Sequence, residues 1–124
     1  FGLEAGPGLS ETLSGACDIR KAIRPTIIAN LSVLTAGATD TDSHELLASE
    51  ALRLTLEYLR CAYDAVIVMT APFGAVADAQ FVWAAAEKAF VVARRHKDRL
   101  PELKELNVAL RQVGASVIGA ALAG

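Results

Sequence analysis

The residues of this chain that are best placed to do chemistry follow one apolar run. Residues 63–72 read Tyr-Asp-Ala-Val-Ile-Val-Met-Thr-Ala-Pro, which is typical of a buried parallel strand that ends at a loop. Ligands of open α/β sheets bind beyond the carboxyl ends of strands, so Met69, Thr70 and the nearby Asp78 are candidate binding positions. Met69 carries a thioether, which is a poor ligand for a hard, hydrated cation such as Mg²⁺. We therefore predict no metal site, and a structural role in the loop is favoured for Thr70 and Asp78.

A second candidate is a basic cluster after the next predicted strand. The cluster of Arg94, Arg95, His96, Lys97 and Arg99 could meet phosphate or an acidic segment of a partner, with Arg94, Arg95 and Lys97 as the candidate anion-binding residues. A solvated loop is the alternative, and it is favoured. The two histidines, His44 and His96, neighbour no candidate serine or cysteine nucleophile, so no catalytic residue is predicted.

The elements that must position these residues alternate along the chain. Hydrophobic periodicity predicts strands at 31–36, 65–70, 88–93 and 116–122, and helices at 9–14, 44–60 and 75–87, with a last helix from Leu100 to a stop at Gly114. In the helix 44–60, Leu47, Ala51, Leu54 and Tyr58 are predicted to face the core, with three more leucines widening that face. This order predicts an α/β fold with a mostly parallel sheet and flanking helices.

Length and composition limit the classes of function. The 124 residues, 13.0 kDa, fit one domain, residues 1–124. The formal net charge of -2 gives no general attraction to nucleic acid. The charge-free stretch 25–39 is too short and too polar to span a membrane, so no direct membrane insertion is expected. Cys17 and Cys61 lack any CxxC or nearby histidine pair, which favours reduced thiols in the cytoplasm.

Ten short segments, spread along nearly the whole chain, follow a pattern that is informative as a series. They are 7–10, 13–15, 23–26, 30–34, 36–37, 45–50, 63–72, 77–79, 89–94 and 114–119. In order and spacing they resemble consecutive stretches of the cytoplasmic kinase domain of bacterial tyrosine autokinases of capsule and exopolysaccharide synthesis. Residues 63–72 resemble that family's Tyr-Asp-x-Val-Ile-Ile-Asp-Thr-Pro-Pro, with Met69 in place of the aspartate.

The resemblance implies a partial P-loop ATPase-like, doubly wound fold, and ATP with Mg²⁺ as the family's cofactors. The family's phosphate loop, GxxxxGK[ST], and its Asp-x-Asp-x-Arg strand would lie upstream of the segment that residues 1–3 resemble. These 124 residues contain no Gly-Lys pair. We therefore expect an N-terminally truncated, degenerate relative that binds no cofactor and is inactive by itself.

Three functions follow as hypotheses. The first is a partial relative of the tyrosine kinases that regulate polysaccharide polymerisation and export. The second is a noncatalytic module that docks on an intact kinase or on a membrane chain-length regulator. The third is a deviant partitioning-type ATPase. The resemblance also implies homo-oligomers or a membrane-bound chain-length regulator as partners, at the inner face of the membrane.

Overall fold

The computed structural model describes residues 6–38, 43–75 and 78–124. The chain divides into two compact units, unit 1 from Phe1 to Ala62 and unit 2 from Tyr63 to Gly124. Residues 1–3 of the family resemblance, most of the predicted loop after Gly37 and residues 76–77 lie outside the described residues. The single domain expected from length stays a prediction.

Unit 1 carries four helices and a short hairpin among its described residues. Its elements are α1 (Leu9–Ser14), α2 (Ile19–Ala22), β1 (Arg24–Pro25), β2 (Ser32–Val33), α3 (Ser43–Leu47) and α4 (Glu50–Ala62). Helix α1 packs against α2, α3 and α4. The predicted helix 9–14 is confirmed, and it ends at Gly15, whose φ of 83° is the left-handed conformation that glycine adopts most easily.

The start of α1 is held by residues 35–38. The Leu9 and Ser10 backbone N–H groups donate to the carbonyl oxygens of Thr35 and Ala36 at 2.7 and 3.0 Å. The Glu11 carboxylate accepts from the backbone N–H groups of Gly8 at 2.8 Å and Ala38 at 3.0 Å. The donors that a helix start leaves without intrahelical partners are thereby satisfied by a segment distant in sequence.

That arrangement explains why the predicted strand 31–36 is shorter in the structure. Only Ser32 and Val33 form a strand, and they pair antiparallel with Pro25 and Arg24. The Thr35 and Ala36 carbonyl oxygens, which a ladder would use, accept from α1 instead. The parallel pairing expected for this strand is therefore not seen here.

The predicted helix 44–60 is two helices with a break at residues 48–49. The Ser49 hydroxyl donates to the Leu46 carbonyl oxygen at 2.6 Å, and the Ser49 backbone N–H donates to the same oxygen at 3.2 Å. A serine side chain that competes for a backbone carbonyl interrupts helical hydrogen bonding. Helix α4 then starts at Glu50 and runs two residues past the predicted end at Arg60, to Ala62.

The buried face of α4 differs from the predicted one. The leucines expected to widen the core face, Leu52, Leu56 and Leu59, are the buried ones. Leu54 and Tyr58 were predicted to face the core, and they are 53% and 42% exposed. The opposite face of α4 is exposed, and on it Arg53 forms ion pairs with Glu50 and Glu57.

Unit 2 contains a parallel strand pair with a helical crossover. Its elements are α5 (Ala79–Ala86), β3 (Lys88–Arg94), α6 (Leu100–Gln112) and β4 (Ser116–Ala123). Strand β3 pairs with β4 from Lys88 opposite Ser116 to Arg94 opposite Ala123, with a register shift after Ala89. These two strands confirm the predictions at 88–93 and 116–122 and the parallel β-α-β connection.

The helices of unit 2 pack against the strand pair and against each other. Helix α5 contacts β3, and α6 contacts both β4 and α5. The most deeply buried large side chain is Leu110 on α6, which is 1% exposed. Helix α6 tolerates Pro101 in its first turn and gives way to Gly114, whose φ is 80°. Of the predicted helix 75–87, Ala79–Ala86 form α5, whereas Ala75 and Asp78 lie in turns and Glu87 is the left-handed residue after the helix.

The prediction of a buried strand at 65–70 is wrong. Residues 65–70 form no strand and are all exposed, with Ile67 at 88% and Met69 at 93%. A strand exists only where a neighbour supplies hydrogen-bond partners, and among the described residues β3 and β4 pair with each other and with no other segment. Residues 65–70 thus have the apolar composition of a central strand, but they are not paired with another strand.

Candidate functional site

Met69 and Thr70 lie on the exposed segment that follows α4. Neither side chain makes a hydrogen bond or an ion pair with the described part of the chain. Because residues 65–70 join no sheet, these two residues are not fixed beside the end of β3. The structure therefore does not assemble the predicted ligand edge from Met69 and Thr70.

The route from Thr70 to Asp78 runs through a tight turn. The Ala75 backbone N–H donates to the Pro72 carbonyl oxygen at 3.0 Å, with Gly74 at a φ of 86°. The Phe73 ring lies 6.3 Å from the Trp83 ring between centroids, at an angle of 35°. Asp78 directly precedes α5, and its side chain does not cap that helix.

Of the three basic residues predicted as an anion site, Arg94 ends β3, and Arg95 and Lys97 lie in the turn that follows it. The Arg95 backbone N–H donates to the Ala123 carbonyl oxygen at 2.9 Å, which extends the β3–β4 ladder by one residue. The Lys97 and Asp98 N–H groups both donate to the Arg94 carbonyl oxygen, at 3.2 and 3.1 Å. His96 occupies the left-handed region, with φ at 63°. The backbone of this turn is thus fixed by hydrogen bonds on both sides.

Asp98 closes the turn and engages Arg94. Its Oδ2 accepts from the Arg94 backbone N–H at 2.6 Å and from Arg94 Nε at 3.3 Å, and its Oδ1 accepts from Arg94 Nη2 at 3.1 Å. The hydrogen bonds from Arg94 hold the pKa of Asp98 below its usual value and raise that of Arg94. Arg94 is therefore half of an internal ion pair, and a ligand would have to displace Asp98 to use it.

Arg95 and Lys97 stay exposed, together with Arg99 of the same predicted cluster. Arg95, Lys97 and Arg99 are exposed, and their side chains form no hydrogen bond or ion pair within residues 6–38, 43–75 and 78–124. The Lys97 charge does help to lower the pKa of Asp98. Arg99 precedes α6, where its backbone N–H donates to Glu102 at 3.3 Å. The candidate anion-binding set is thus Arg95, Lys97 and Arg99, which we call the basic turn.

The described residues were also considered for two other features, a metal site and a membrane-spanning helix. No group of three or more histidine, cysteine, aspartate or glutamate side chains there could hold a metal ion. Within the same ranges, no helix has the length and apolar character needed to cross a membrane.

Comparison with known proteins places these features in a family. No protein-family model matches the sequence. The chain is 31% identical over 122 residues to a protein named as putative tyrosine-protein kinase CapB of Staphylococcus aureus, covering 98% of this chain and 54% of CapB. It is 34% identical over 117 residues to tyrosine-protein kinase Etk of Escherichia coli K12, covering 94% of this chain and 16% of Etk.

A solved structure extends the likeness to the fold. The kinase domain of Escherichia coli Etk superposes with a TM-score of 0.92 at 33% identity, over 98% of this chain and 48% of that domain. The chain is homologous to part of the kinase domain of bacterial tyrosine kinases. It spans about half the length of CapB. The predicted resemblance to part of these kinases and the α/β, P-loop kinase-like fold class are confirmed.

The residues that sequence reasoning missed are those whose role depends on pairing. The role of Asp98 could have been predicted, because an aspartate four residues after Arg94 is close enough to form an ion pair with it. Arg99 belonged to the predicted cluster, but the sequence could not show that its side chain makes no hydrogen bond or ion pair with the described part of the chain.

Proposed function

We propose that this chain is a partial, noncatalytic relative of the bacterial protein tyrosine kinases that regulate capsule or exopolysaccharide polymerisation and export. One observation carries the proposal. Met69 stands where the resembling family segment has a metal-directing aspartate, and it is 93% exposed on a segment that joins no sheet. Phosphoryl transfer depends on positioned phosphates and Mg²⁺, and a thioether supplies no ligand for that ion.

The role that fits these residues is a scaffold in the cytoplasm, held at the inner face of the membrane by a partner. Unit 2 keeps the β3–α6–β4 connection of an α/β sheet and presents apolar residues on it, with Phe90 and Val92 each 59% exposed. These exposed apolar residues also favour the second candidate, a module that docks on an intact kinase or a membrane chain-length regulator, since such surfaces on a soluble protein mark interaction sites.

The test is calorimetric titration of the chain with ATP and Mg²⁺, with the Escherichia coli Etk kinase domain as the positive control. We expect no binding by this chain. Met69→Asp should not create binding or transfer to tyrosine, because a carboxylate without a phosphate cradle leaves the γ-phosphoryl group unpositioned. A dissociation constant in the micromolar range for the unaltered chain would contradict the proposal.

The same variant settles a second expectation about Met69. If that residue were buried, a carboxylate there would lack a partner and destabilise the fold. Since Met69 is 93% exposed, Met69→Asp should change the free energy of unfolding by no more than about 0.5 kcal/mol. Thermal unfolding followed by circular dichroism measures this.

A further inference from the structure

The basic turn is defined by Arg95, Lys97 and Arg99, whose side chains form no hydrogen bond or ion pair within the described chain, while the Lys97 charge helps to lower the pKa of Asp98. Asp98 is the only acidic residue from position 94 to 99, and its carboxylate is engaged by Arg94. The next acidic residue, Glu102, accepts from a backbone N–H, that of Arg99. Three cationic side chains are left facing solvent on one short turn.

The turn holds its backbone in one conformation before any ligand arrives. Its first residue is tied to β4 through the Arg95 N–H and the Ala123 carbonyl oxygen at 2.9 Å. Its far side is closed by Asp98, which binds the Arg94 backbone N–H at 2.6 Å. A ligand would therefore order three side chains and not the backbone, which lowers the entropic cost of binding.

The number and types of the side chains decide the kind of anion. Recognition of anionic lipid surfaces uses clusters of about 4–8 basic residues, and the basic turn offers three. A phosphate dianion needs fewer, because arginine binds it through two parallel N–H bonds and lysine adds a point charge. The observations favour one phosphate group over an extended polyanion.

We propose that the basic turn binds a phosphorylated tyrosine on a peptide segment. Arg95 and Arg99 hold the phosphate oxygens, with Lys97 as the third cation. Leu100, the residue after Arg99, is 64% exposed and offers apolar surface for the phenyl ring. The choice of phosphate rests on the turn itself, and the choice of tyrosine as its carrier rests on the proposed function.

The test uses fluorescence anisotropy of the 124-residue chain with a labelled peptide that contains one phosphotyrosine. The matched probes are the same peptide with unmodified tyrosine, the same peptide with phosphoserine, inorganic phosphate, and vesicles of phosphatidylglycerol. We expect the phosphotyrosine peptide to bind more tightly than every other probe. Arg95→Gln and Arg99→Gln should each weaken it about 10-fold or more, as expected for loss of a charged hydrogen bond.

The control variant is Lys104→Gln combined with Arg111→Gln. Both residues lie on α6, are exposed and lie outside the basic turn, so the pair removes more charge than either test variant. Binding should be retained in the control. Equal loss in the control and the test variants would show attraction to net charge only, and it would overturn the proposal. So would equal binding of phosphoserine peptide or inorganic phosphate, or binding of vesicles alone.

This experiment is independent of the titration with ATP. It involves no nucleotide and no transfer, so binding of phosphotyrosine would stand even if the chain proved to bind ATP. Absence of phosphotyrosine binding, with circular dichroism showing a folded chain, would overturn the inference and leave the proposed function unaffected.

Discussion

At the scale of single residues, Glu11 is the clearest case of a side chain that determines local structure. Its carboxylate joins the start of α1 to residue 38 by accepting from the Gly8 and Ala38 backbone N–H groups. Gly37 makes this approach possible, because its φ is 79° and a Cβ atom there would collide with the Glu11 carboxylate. One carboxylate and one glycine thus fix where the chain returns to α1.

The hydrogen bonds at Glu11 predict a pH dependence of stability. The Ala38 N–H, followed by the Gly8 N–H, lowers the pKa of Glu11 from 4.5 to about 2. A carboxylate with a lowered folded-state pKa contributes stability above its unfolded value, and that contribution is lost as the pH falls from about 4.5 toward 2. Glu11→Gln should therefore lower the melting temperature at neutral pH, because Oε2 accepts from Gly8 and Oε1 from Ala38, whereas a glutamine amide has one acceptor oxygen and no charge.

Melting temperatures of Glu11→Gln and the unaltered chain should converge as the pH falls through that window. Glu105→Gln is the control, since Glu105 is exposed on α6 and has no partner in the part of the chain that the structure describes. A difference between Glu11→Gln and the unaltered chain that stays constant down to pH 2 would show that the carboxylate's charge is not the cause.

At the scale of elements, α6 is the helix that joins both strands of the unit 2 sheet and carries its most buried leucine. Leu110 is 1% exposed, whereas Val108 on the same helix is 54% exposed. Leu110→Ala should destabilise the chain by about 2–5 kcal/mol through lost burial and a cavity. Val108→Ala is the matched control and should change the free energy of unfolding by less than about 0.5 kcal/mol. Urea denaturation of both variants measures the difference, and equal midpoints would contradict the packing of α6.

The elements that the sequence predicted well are those with local signals. Helix α1 has Gly15 as its stop, α6 has Gly114, and strands β3 and β4 have continuous apolar runs that find each other across one crossover. The break at Ser49 was missed because serine also occurs inside helices, and only its contact with the Leu46 carbonyl oxygen disrupts this one.

The candidate site was predicted in part for the same reason. The positive charges at 94–97 could be read from the sequence. Which of them are paired depends on the fold, since Asp98 binds Arg94 whereas Arg95 and Lys97 stay exposed. The position of Met69 could not be predicted from residues 65–70. Whether an apolar run becomes a strand depends on a neighbouring strand, and no local pattern supplies one.

At the scale of the whole molecule, the exposed run 66–68 determines how the chain should behave in solution. Val66, Ile67 and Val68 are 37%, 88% and 37% exposed and lie in no strand. Unpaired backbone in an apolar run of high β propensity favours pairing with another chain. We therefore expect the isolated chain to self-associate, or to be stabilised by a partner that pairs with this segment.

Light scattering during size exclusion, together with amide hydrogen exchange at 66–68, tests this expectation. Exchange should be fast in dilute solution and should slow as the concentration rises or a partner is added, because pairing protects the backbone N–H groups. Ile67→Lys should reduce the association, since a lysine on an exposed strand edge opposes further pairing. Val108→Lys, at an exposed position of α6, should leave it unchanged. A monodisperse monomer with strong protection at 66–68 at every concentration would instead mean that this run is already paired within the chain.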